Sequence, residues 1–336
     1  MDKGRRAYAV QFGFDFQVNA AIVLMLENIE NFTSLRLEGD FEDIEISLNN
    51  GKCILAQAKS VVRASEDTRN VRRNLKKALL TLSEGASKTE SEKLIFITNS
   101  LDPFDNKELR NIIYGYTRKS FKDLPQAAQS IIKSYIKDLE NPLDLENFWI
   151  HVLPFETSDD QERYKVVKEK IDDFIGALNL NYSGISTKLM GTWQNDVFHN
   201  ATHEDHAIEL KKENIIWPII VIVTDINRYH GDFDEYFDSS QYDEILYRYH
   251  DLIDSCCERC EFFIRVLYDY NNFKMDGVTA KEKSMKFATS KWKDYLNEFS
   301  VEHIDSETQR GLIQIILYSI VHNRIEIDKI KKGVHL

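Results

Sequence analysis

The chain has 336 residues, of which 43% are hydrophobic and 29% are charged, with a formal net charge of −12 and a pI near 5.3. This composition is typical of a soluble globular protein with room for two domains. The acidic balance excludes a protein that coats nucleic acid over its whole surface.

Three sequence features set the expected compartment. No apolar run approaches the roughly 20 residues that a bilayer crossing needs. The N-terminus lacks the apolar core and cleavage site of a signal peptide. The four cysteines do not form a disulfide framework, since three of them fall within residues 256–260. We therefore expect a cytoplasmic protein without membrane contact.

The first elements in chain order are a helix, a strand and a hairpin. Residues 7–30 predict a mostly buried helix, and residues 34–38 predict a short strand. The stretch 43–59 predicts two strands closed at the Asn49-Asn50-Gly51 turn, where glycine permits the tight bend. The hairpin is the part of the chain richest in chemical signals.

The following segments complete an α/β pattern. Residues 65–84 carry apolar side chains at helical spacing, and the apolar run 92–99 predicts a buried central strand. Residues 106–140 look helical with a break near Pro125, and residues 148–155 predict another strand. This order predicts a compact unit of mixed sheet flanked by helices.

The second half predicts a mostly helical α+β domain. An amphipathic helix over 159–178 is followed by a looser segment to about 210. The apolar run 215–225 predicts a strand that starts after Pro218. The acidic segment 232–244 is by default a solvated face, and it is alternatively a docking surface for a basic partner. We place the domains at 1–156 and 157–336.

Polar side chains gather at one end of the predicted hairpin. Asp43 lies at the head of the first strand, and Gln57 and Lys59 lie two apart on the second, so both point to one side of the sheet. A hairpin brings the head of one strand beside the tail of the other. A carboxylate, an amide oxygen and an ammonium around one point suit a divalent cation and a water beside a phosphate. The alternative for Lys59 is an ordinary solvated lysine at a strand end.

The helix after the hairpin carries a row of cations. No acidic residue interrupts the segment between Thr68 and Thr81. We define the basic ridge as Arg69, Arg72, Arg73, Lys76 and Lys77. This ridge begins about ten residues after Lys59, and it predicts a surface for the phosphate backbone of DNA. The alternative is a solvated helix face.

The hairpin resembles the PD-(D/E)xK superfamily of nucleases, in the variant where Gln-x-Lys replaces acid-x-Lys. The matching residues are Asp43 in EDIEI and Gln57 and Lys59 in ILAQAKS. The upstream GFDFQ (residues 13–17), followed by an apolar helix, is similar to the double-stranded DNA endonuclease domain of antiphage effectors. That domain belongs to CBASS nuclease effectors and to the nuclease subunit of Lamassu-type, SMC-containing systems. The resemblance covers residues 7 to about 100.

The resemblance implies a restriction-endonuclease-like fold and a role for each matching residue. Asp43 would be the principal metal ligand, Gln57 would add its carbonyl oxygen, and Lys59 would orient or activate the attacking water. Because glutamine replaces an acid, a further carboxylate is expected, and Glu38 is the first candidate. Weaker candidates are Asp40, Glu42 and Glu45. Gln17 is the candidate accessory residue at the edge of the site.

The resemblance also implies a cofactor and partners. The cofactor would be Mg²⁺ or Mn²⁺, and the substrate would be double-stranded DNA. The pattern around Trp193, Asn200 and the WPIIVI segment is similar to the C-terminal domain of effectors encoded beside SMC-like ATPases. The implied partners are an SMC-like ATPase and a small accessory subunit, with a homo-oligomer as the active form.

Three other functions stay open on the sequence. The chain is alternatively a CBASS-type effector gated by a cyclic nucleotide, or a catalytically inert scaffold or DNA-docking subunit that keeps the nuclease fold. A restriction-type enzyme is disfavoured, because a DNA-reading domain should be basic and the second half is acidic.

Other motifs in the chain are weaker. Cys256, Cys257 and Cys260 predict core packing rather than a zinc site, since a fourth nearby ligand is missing. The histidines of HNATHEDH predict a polar loop, with metal binding as the alternative; they are His199, His203 and His206. The chain has no Walker A pattern and no GxSxG motif.

Overall fold

The structure, a computed structural model, divides into two compact units, Met1–Ile215 and Ile216–Leu336. The residues that it describes are 3–62, 64, 70–156, 159–180, 182–223, 244–245, 247–249, 260–299 and 304–336.

The first unit is an α/β structure. Its helices are α1 (Lys3–Glu27), α2 (Val71–Ala86), α3 (Gln126–Ile136), α4 (Asp160–Ala177) and α5 (Ile185–Ala201), with 3₁₀ turns at Lys107–Ile112 and Phe121–Asp123. Its strands are β1 (Phe32–Leu37), β2 (Ile44–Leu48), β3 (Cys53–Lys59), β4 (Ser91–Thr98), β5 (Thr117–Ser120), β6 (Phe148–Val152) and β7 (Leu210–Lys211).

The strands form one mixed sheet in the order β5-β6-β4-β3-β2-β1-β7. The central pairs β3–β4 and β4–β6 are parallel, and the outer pairs are antiparallel. Helix α2 connects β3 to β4, as a parallel pair requires a long crossover. The predicted fold class is confirmed: an α/β chain with a seven-stranded mixed sheet flanked by helices, followed by a helical C-terminal region.

Alternation along the central strands gives the sheet two apolar faces. Leu55 on β3 and Leu94 and Phe96 on β4 pack with Leu75 and Leu79 of α2, and this side is called the α2 face. The residues between them point to the other side, where they are also buried. Burial on both faces explains why the β4 segment reads as a continuous apolar run.

Helix α1 lies against the sheet on the side away from α2, which is called the α1 face. Its stretch Ala7–Glu27 has 21 residues and a hydropathy of 1.4, so by length and composition it is able to cross a membrane. The expectation that no run reaches this length is therefore wrong. Most of this stretch is buried in the unit, as in the core helix of a soluble protein.

The first compact unit extends beyond the predicted boundary at 156. Helix α4 packs on α1, and α5 packs on α1 and β1. The buried Arg36 of β1 donates to the carbonyl oxygens of Asn200 at 2.9 Å, Ile208 at 2.8 Å and His203 at 2.8 Å. These contacts place residues 157–215 with the sheet, and so the units differ from the predicted ranges 1–156 and 157–336.

Two predictions for the region around 178–225 are wrong. The predicted loose segment contains α5, and the predicted strand over 215–225 is part of α6 (Lys212–Val223), with Pro218 inside the helix. An apolar run of about twelve residues fits a buried helix as well as a buried strand, and periodicity alone does not separate the two.

The described part of the second unit is helical. Beyond α6 it contains α7 (Cys260–Asn272), α8 (Ala280–Lys291), α9 (Ser306–His322) and α10 (Arg324–Gly333), with a 3₁₀ turn at Trp292–Glu298. Helix α9 is buried continuously from Gly311 to Val321, so it is the central helix of this unit.

Candidate active site

The register of the hairpin determines where its polar residues lie. Strands β2 and β3 pair antiparallel with Ile44 opposite Ala56 and Glu45 opposite Leu55. One step further, Asp43 comes opposite Gln57, on the same face of the sheet as Leu55 and Lys59. Because Leu55 packs on α2, these three polar residues lie on the α2 face at the carboxyl end of β3.

The structure brings Asp43 and Lys59 into direct contact. The Nζ atom of Lys59 lies 3.0 Å from Oδ2 of Asp43, and the same oxygen accepts the backbone N–H of Ala58 at 3.1 Å. The side chains are 16% exposed for Asp43 and 31% exposed for Lys59. The ammonium therefore acts as the counter-ion of this carboxylate at the rim of the sheet.

A tight turn between β1 and β2 delivers the other acids. The N–H of Glu38 donates to the carbonyl of Asp43 at 2.8 Å, and the N–H of Gly39 donates to the carbonyl of Glu42 at 3.1 Å. Glu38 itself has a φ of +52°. A Cβ atom on Gly39 would clash with the carboxyl group of Glu45, so a larger residue there would force the Glu45 side chain to move.

Two of the weaker candidates are engaged elsewhere. One oxygen of Glu45 accepts the N–H groups of Phe41 at 2.5 Å and Glu42 at 2.9 Å, which stabilises the turn. Oδ1 of Asp40 lies 2.6 Å from Nδ1 of His206. Neither carboxylate is directed at Asp43.

Glu42 belongs to the site, although the sequence ranks it below Glu38. It is buried, and burial together with the neighbouring Asp43 carboxylate raises its pKa to about 8. Partial burial and Asp43 also raise the pKa of Glu38, while a hydrogen bond with Gln17 acts in the opposite direction. Gln17 therefore lies beside Glu38, and its role as an accessory residue stays a prediction.

Gln57 is held from the helix side. It is 3% exposed, and its Oε1 accepts the hydroxyl of Thr81 on α2 at 2.5 Å. Thr81 also bonds Glu42. The Thr81 contact lowers the pKa of Glu42, against the larger effects of burial and of Asp43. The sequence analysis did not identify Thr81. A signal was present, because Thr81 lies four residues after Lys77 and therefore on the same face of α2.

The oxygen donors fit a hard divalent cation, because Mg²⁺ and Mn²⁺ prefer carboxylate and amide oxygens. Burial is the main cause of the raised pKa values of Glu38 and Glu42, and the Asp43 carboxylate adds to it while Lys59 opposes it. Oε1 of Glu42 is buried without a hydrogen-bond partner. The acids do not form a ready ligand set: within the described ranges, no three His, Cys, Asp or Glu side chains are arranged to hold a metal ion.

The basic ridge is exposed beside the site. Gly85 of α2 lies next to Leu55 and Thr81 contacts Gln57, so α2 runs antiparallel to β3 and the next turn, at Lys77, comes level with Lys59. The described ridge residues are all exposed; they are Arg72, Arg73, Lys76 and Lys77.

Two ridge residues have partners close to α2. Arg72 pairs with Asp105 at 3.2 Å, and Arg73 donates to the side chain of Asn70 at 2.7 Å. Arg69 lies outside the described residues. The exposed cations therefore continue from the level of Lys59 toward the start of α2.

The remaining motifs add no metal cluster in the described part of the chain. His199 lies in the last turn of α5, and the carbonyl of His203 is a partner of Arg36, so this segment stabilises the unit. Cys256 and Cys257 lie outside the described residues, as does 232–243 of the acidic segment, and Cys260 begins α7.

Comparison with known proteins gives limited information. No protein-family model matches the chain, and no curated protein matches it in sequence. Among solved structures, the chain is similar to a Cap4 SAVED/CARF-domain containing receptor from Moraxella osloensis, at 13% sequence identity and a TM-score of 0.37. The match covers 62% of this chain and 46% of the receptor, so the chain spans under half of that protein. A similarity at this level assigns neither fold nor activity.

Proposed function

We propose that the chain is a metal-dependent double-stranded DNA endonuclease that acts as the effector of a bacterial antiphage defence system. The observation that carries the proposal is the hairpin itself, in which Lys59 lies 3.0 Å from Asp43 and Gln57 lies opposite Asp43 on the same face. The resemblance to the Gln-x-Lys nucleases concerns these same three residues.

The side chains divide the work of phosphodiester hydrolysis. Oxygen atoms of Asp43, Gln57, Glu38 and Glu42 would hold Mg²⁺ or Mn²⁺. The bound cation would stabilise the charge that develops on the phosphate. Lys59 donates hydrogen bonds to the attacking water and to the phosphate as a compact positive charge.

Substrate binding is assigned to the basic ridge. Arg72, Arg73, Lys76 and Lys77 are exposed on the helix that also supplies Thr81 to the site. Cations on one helix face bind the sugar-phosphate backbone without reading sequence. In this proposal an SMC-like ATPase and a small accessory subunit control the enzyme through its C-terminal region, and the active form is a homo-oligomer.

The decisive experiment measures cleavage of supercoiled plasmid by purified protein with Mg²⁺ or Mn²⁺. We expect Lys59→Ala and Asp43→Ala to reduce the rate by about 10²-fold or more, the usual effect of removing a catalytic group. The matched control is Lys52→Ala, which removes a lysine paired with Glu90 near the start of β3. Equal rates for the wild type and Lys59→Ala would refute the assigned site.

A second measurement does not depend on an activator. Metal that binds the folded chain raises its melting temperature. We expect Mg²⁺ to stabilise the wild type and the Asp40→Ala control, whose exposed carboxylate lies in the same turn, but not the Asp43→Ala variant. Stabilisation that survives Asp43→Ala would place the metal elsewhere.

An inert DNA-docking subunit is the second candidate. The observation that favours it is the Lys59–Asp43 ion pair, together with the lack of a ready three-ligand group among the described residues. An inert subunit would bind DNA through the ridge but show no stabilisation by Mg²⁺, so the melting measurement separates the two candidates.

A further inference from the structure

A polar cavity lies on the α1 face of the sheet, opposite the candidate active site. Lys93 on β4 alternates with Leu94, which packs on α2, and so it points to the other face. The cavity has a volume of about 290 Å³. Its polar lining consists of Glu27, Asn28, Lys93, Arg118, Trp149 and His151.

His151 is the unusual member of this cavity. It is 4% exposed, and its Nδ1 atom is buried without a hydrogen-bond partner. The rings of Tyr116 and Trp149 meet the imidazole edge-on at 6.5 and 6.4 Å. Burial of an unpaired ring nitrogen costs free energy, and a hydrogen bond to a bound molecule would recover that cost.

The cavity carries surplus positive charge. Glu27 is 8% exposed and already has cationic partners, Arg118 at 3.0 Å and Lys170 at 3.9 Å, as well as the hydroxyl of Tyr116 at 2.8 Å. Lys93 contacts only a neutral group, the amide oxygen of Asn28 at 3.3 Å, among the partners seen in the described chain. A guanidinium has five N–H donors and an ammonium has three, so Arg118 and Lys93 keep donors for an incoming anion.

We propose that this cavity binds a small anion that carries a flat aromatic ring, of about the size of a nucleoside monophosphate. Arg118 and Lys93 bind the anionic group, and the half-buried Trp149 offers an aromatic surface to the ring. His151 and Asn28 supply polar atoms for the edge of the ring. The cavity is at the small end of the range for ligand sites, which excludes a polymer.

The proposal is independent of the nuclease assignment, since the cavity shares no residue with the hairpin site. Its test is calorimetric titration of the full-length protein with AMP, GMP, CMP and UMP, each compared with its nucleoside and with inorganic phosphate. We expect at least one monophosphate to bind at least tenfold more tightly than its nucleoside and than phosphate.

Variants locate the binding. Arg118→Gln and Lys93→Gln should each weaken the binding about tenfold or more, since each removes a charge-assisted hydrogen bond. The matched control is Lys119→Gln, because Lys119 is the next residue on β5 and pairs with Ile150, whose side chain faces α2. Circular dichroism checks that each variant is folded. If one of the two cavity variants does not fold, the other still tests the proposal.

Three results would overturn the proposal. The first is absence of binding heat for all four monophosphates up to roughly 1 mM, the weak limit of specific small-ligand affinity. The second is equal weakening by Lys119→Gln and the two cavity variants. The third is equal affinity for phosphate and every monophosphate, which would remove the ring from the proposed ligand.

Discussion

The two faces of the sheet bury polar groups whose electrostatic environments are opposite. On the α2 face, Glu42 lies beside Asp43, and its pKa is raised to about 8. On the α1 face, His151 lies near Arg118 and Lys93, and its pKa is lowered to about 3. Burial is the largest cause of both shifts, because a poorly solvated site favours the neutral form of an acid and of a base alike.

The neighbouring charges are what distinguish the two faces. Acidic neighbours on the α2 face would suit the proposed cation, whereas cationic neighbours on the α1 face would suit the proposed anion. Burial alone identifies a polar group with a shifted pKa, while the sign of the neighbouring charges indicates the kind of ligand that would suit the site. Three measurements test this difference between the two faces.

The largest effect is expected at Glu42. Between pH 4.5 and about 8 the folded chain holds a proton that the unfolded chain has lost, so raising the pH lowers the free energy of unfolding. The free energy of unfolding should fall by up to about 1.4 kcal/mol per pH unit, which is the slope expected when the two states differ by one bound proton. We expect Glu42→Gln to flatten this slope, and exposed Glu84→Gln on α2 to keep it. Urea unfolding between pH 5 and pH 9 gives the slopes; parallel curves for wild type and Glu42→Gln would contradict the assignment.

His151 should act in the opposite direction on the acid side. Its folded pKa lies below the unfolded value of 6.5, so the unfolded chain takes up the proton first and stability is lost as the pH falls from 6.5 toward 3. We expect His151→Phe to reduce this loss relative to the wild type. The exposed His199→Phe serves as the control. If the loss of stability at acid pH were the same in His151→Phe, the pKa of this histidine would be the same in the folded and the unfolded chain.

The smallest effect is expected on the basic ridge. Lys77→Gln removes one phosphate contact, so it should weaken DNA binding less than tenfold. It should also lower the slope of log affinity against log salt by about 0.9. Binding is measured without metal in the Lys59→Ala background. The exposed Lys168→Gln on α4, the helix that packs on α1, should leave both quantities unchanged. An equal loss of DNA affinity in Lys77→Gln and Lys168→Gln would show that DNA binding is not specific to the basic ridge.

Much of the α2 face was predictable from the sequence, because its signals are local. The Asn49-Asn50-Gly51 turn sets the hairpin register, and that register places Asp43 opposite Gln57. Thr81 was missed because its contact with Gln57 spans 24 positions and depends on how α2 lies on β3. Glu42 was underrated because its burial follows from the turn at Gly39 rather than from its own sequence context.

The α1 face was not predictable in the same way. Its cavity residues come from the end of α1 and from β4, β5 and β6, and the short strand β5 lies in a segment that reads as helical. Thr117–Ser120 forms a strand because it pairs with β6, which is a tertiary contact with no local signal. The same cause explains β7, whose two residues extend the sheet beside β1.

The three carbonyl contacts of Arg36 have a practical consequence for dissecting this protein. A fragment ending at residue 156 would keep the guanidinium but lose the three carbonyl oxygens that accept its hydrogen bonds, and it would uncover the side of α1 on which α4 and α5 rest. Such a fragment should aggregate or unfold, whether or not the candidate site residues are intact. The first compact unit ends at Ile215, so deletion mapping of the candidate site should begin from that end.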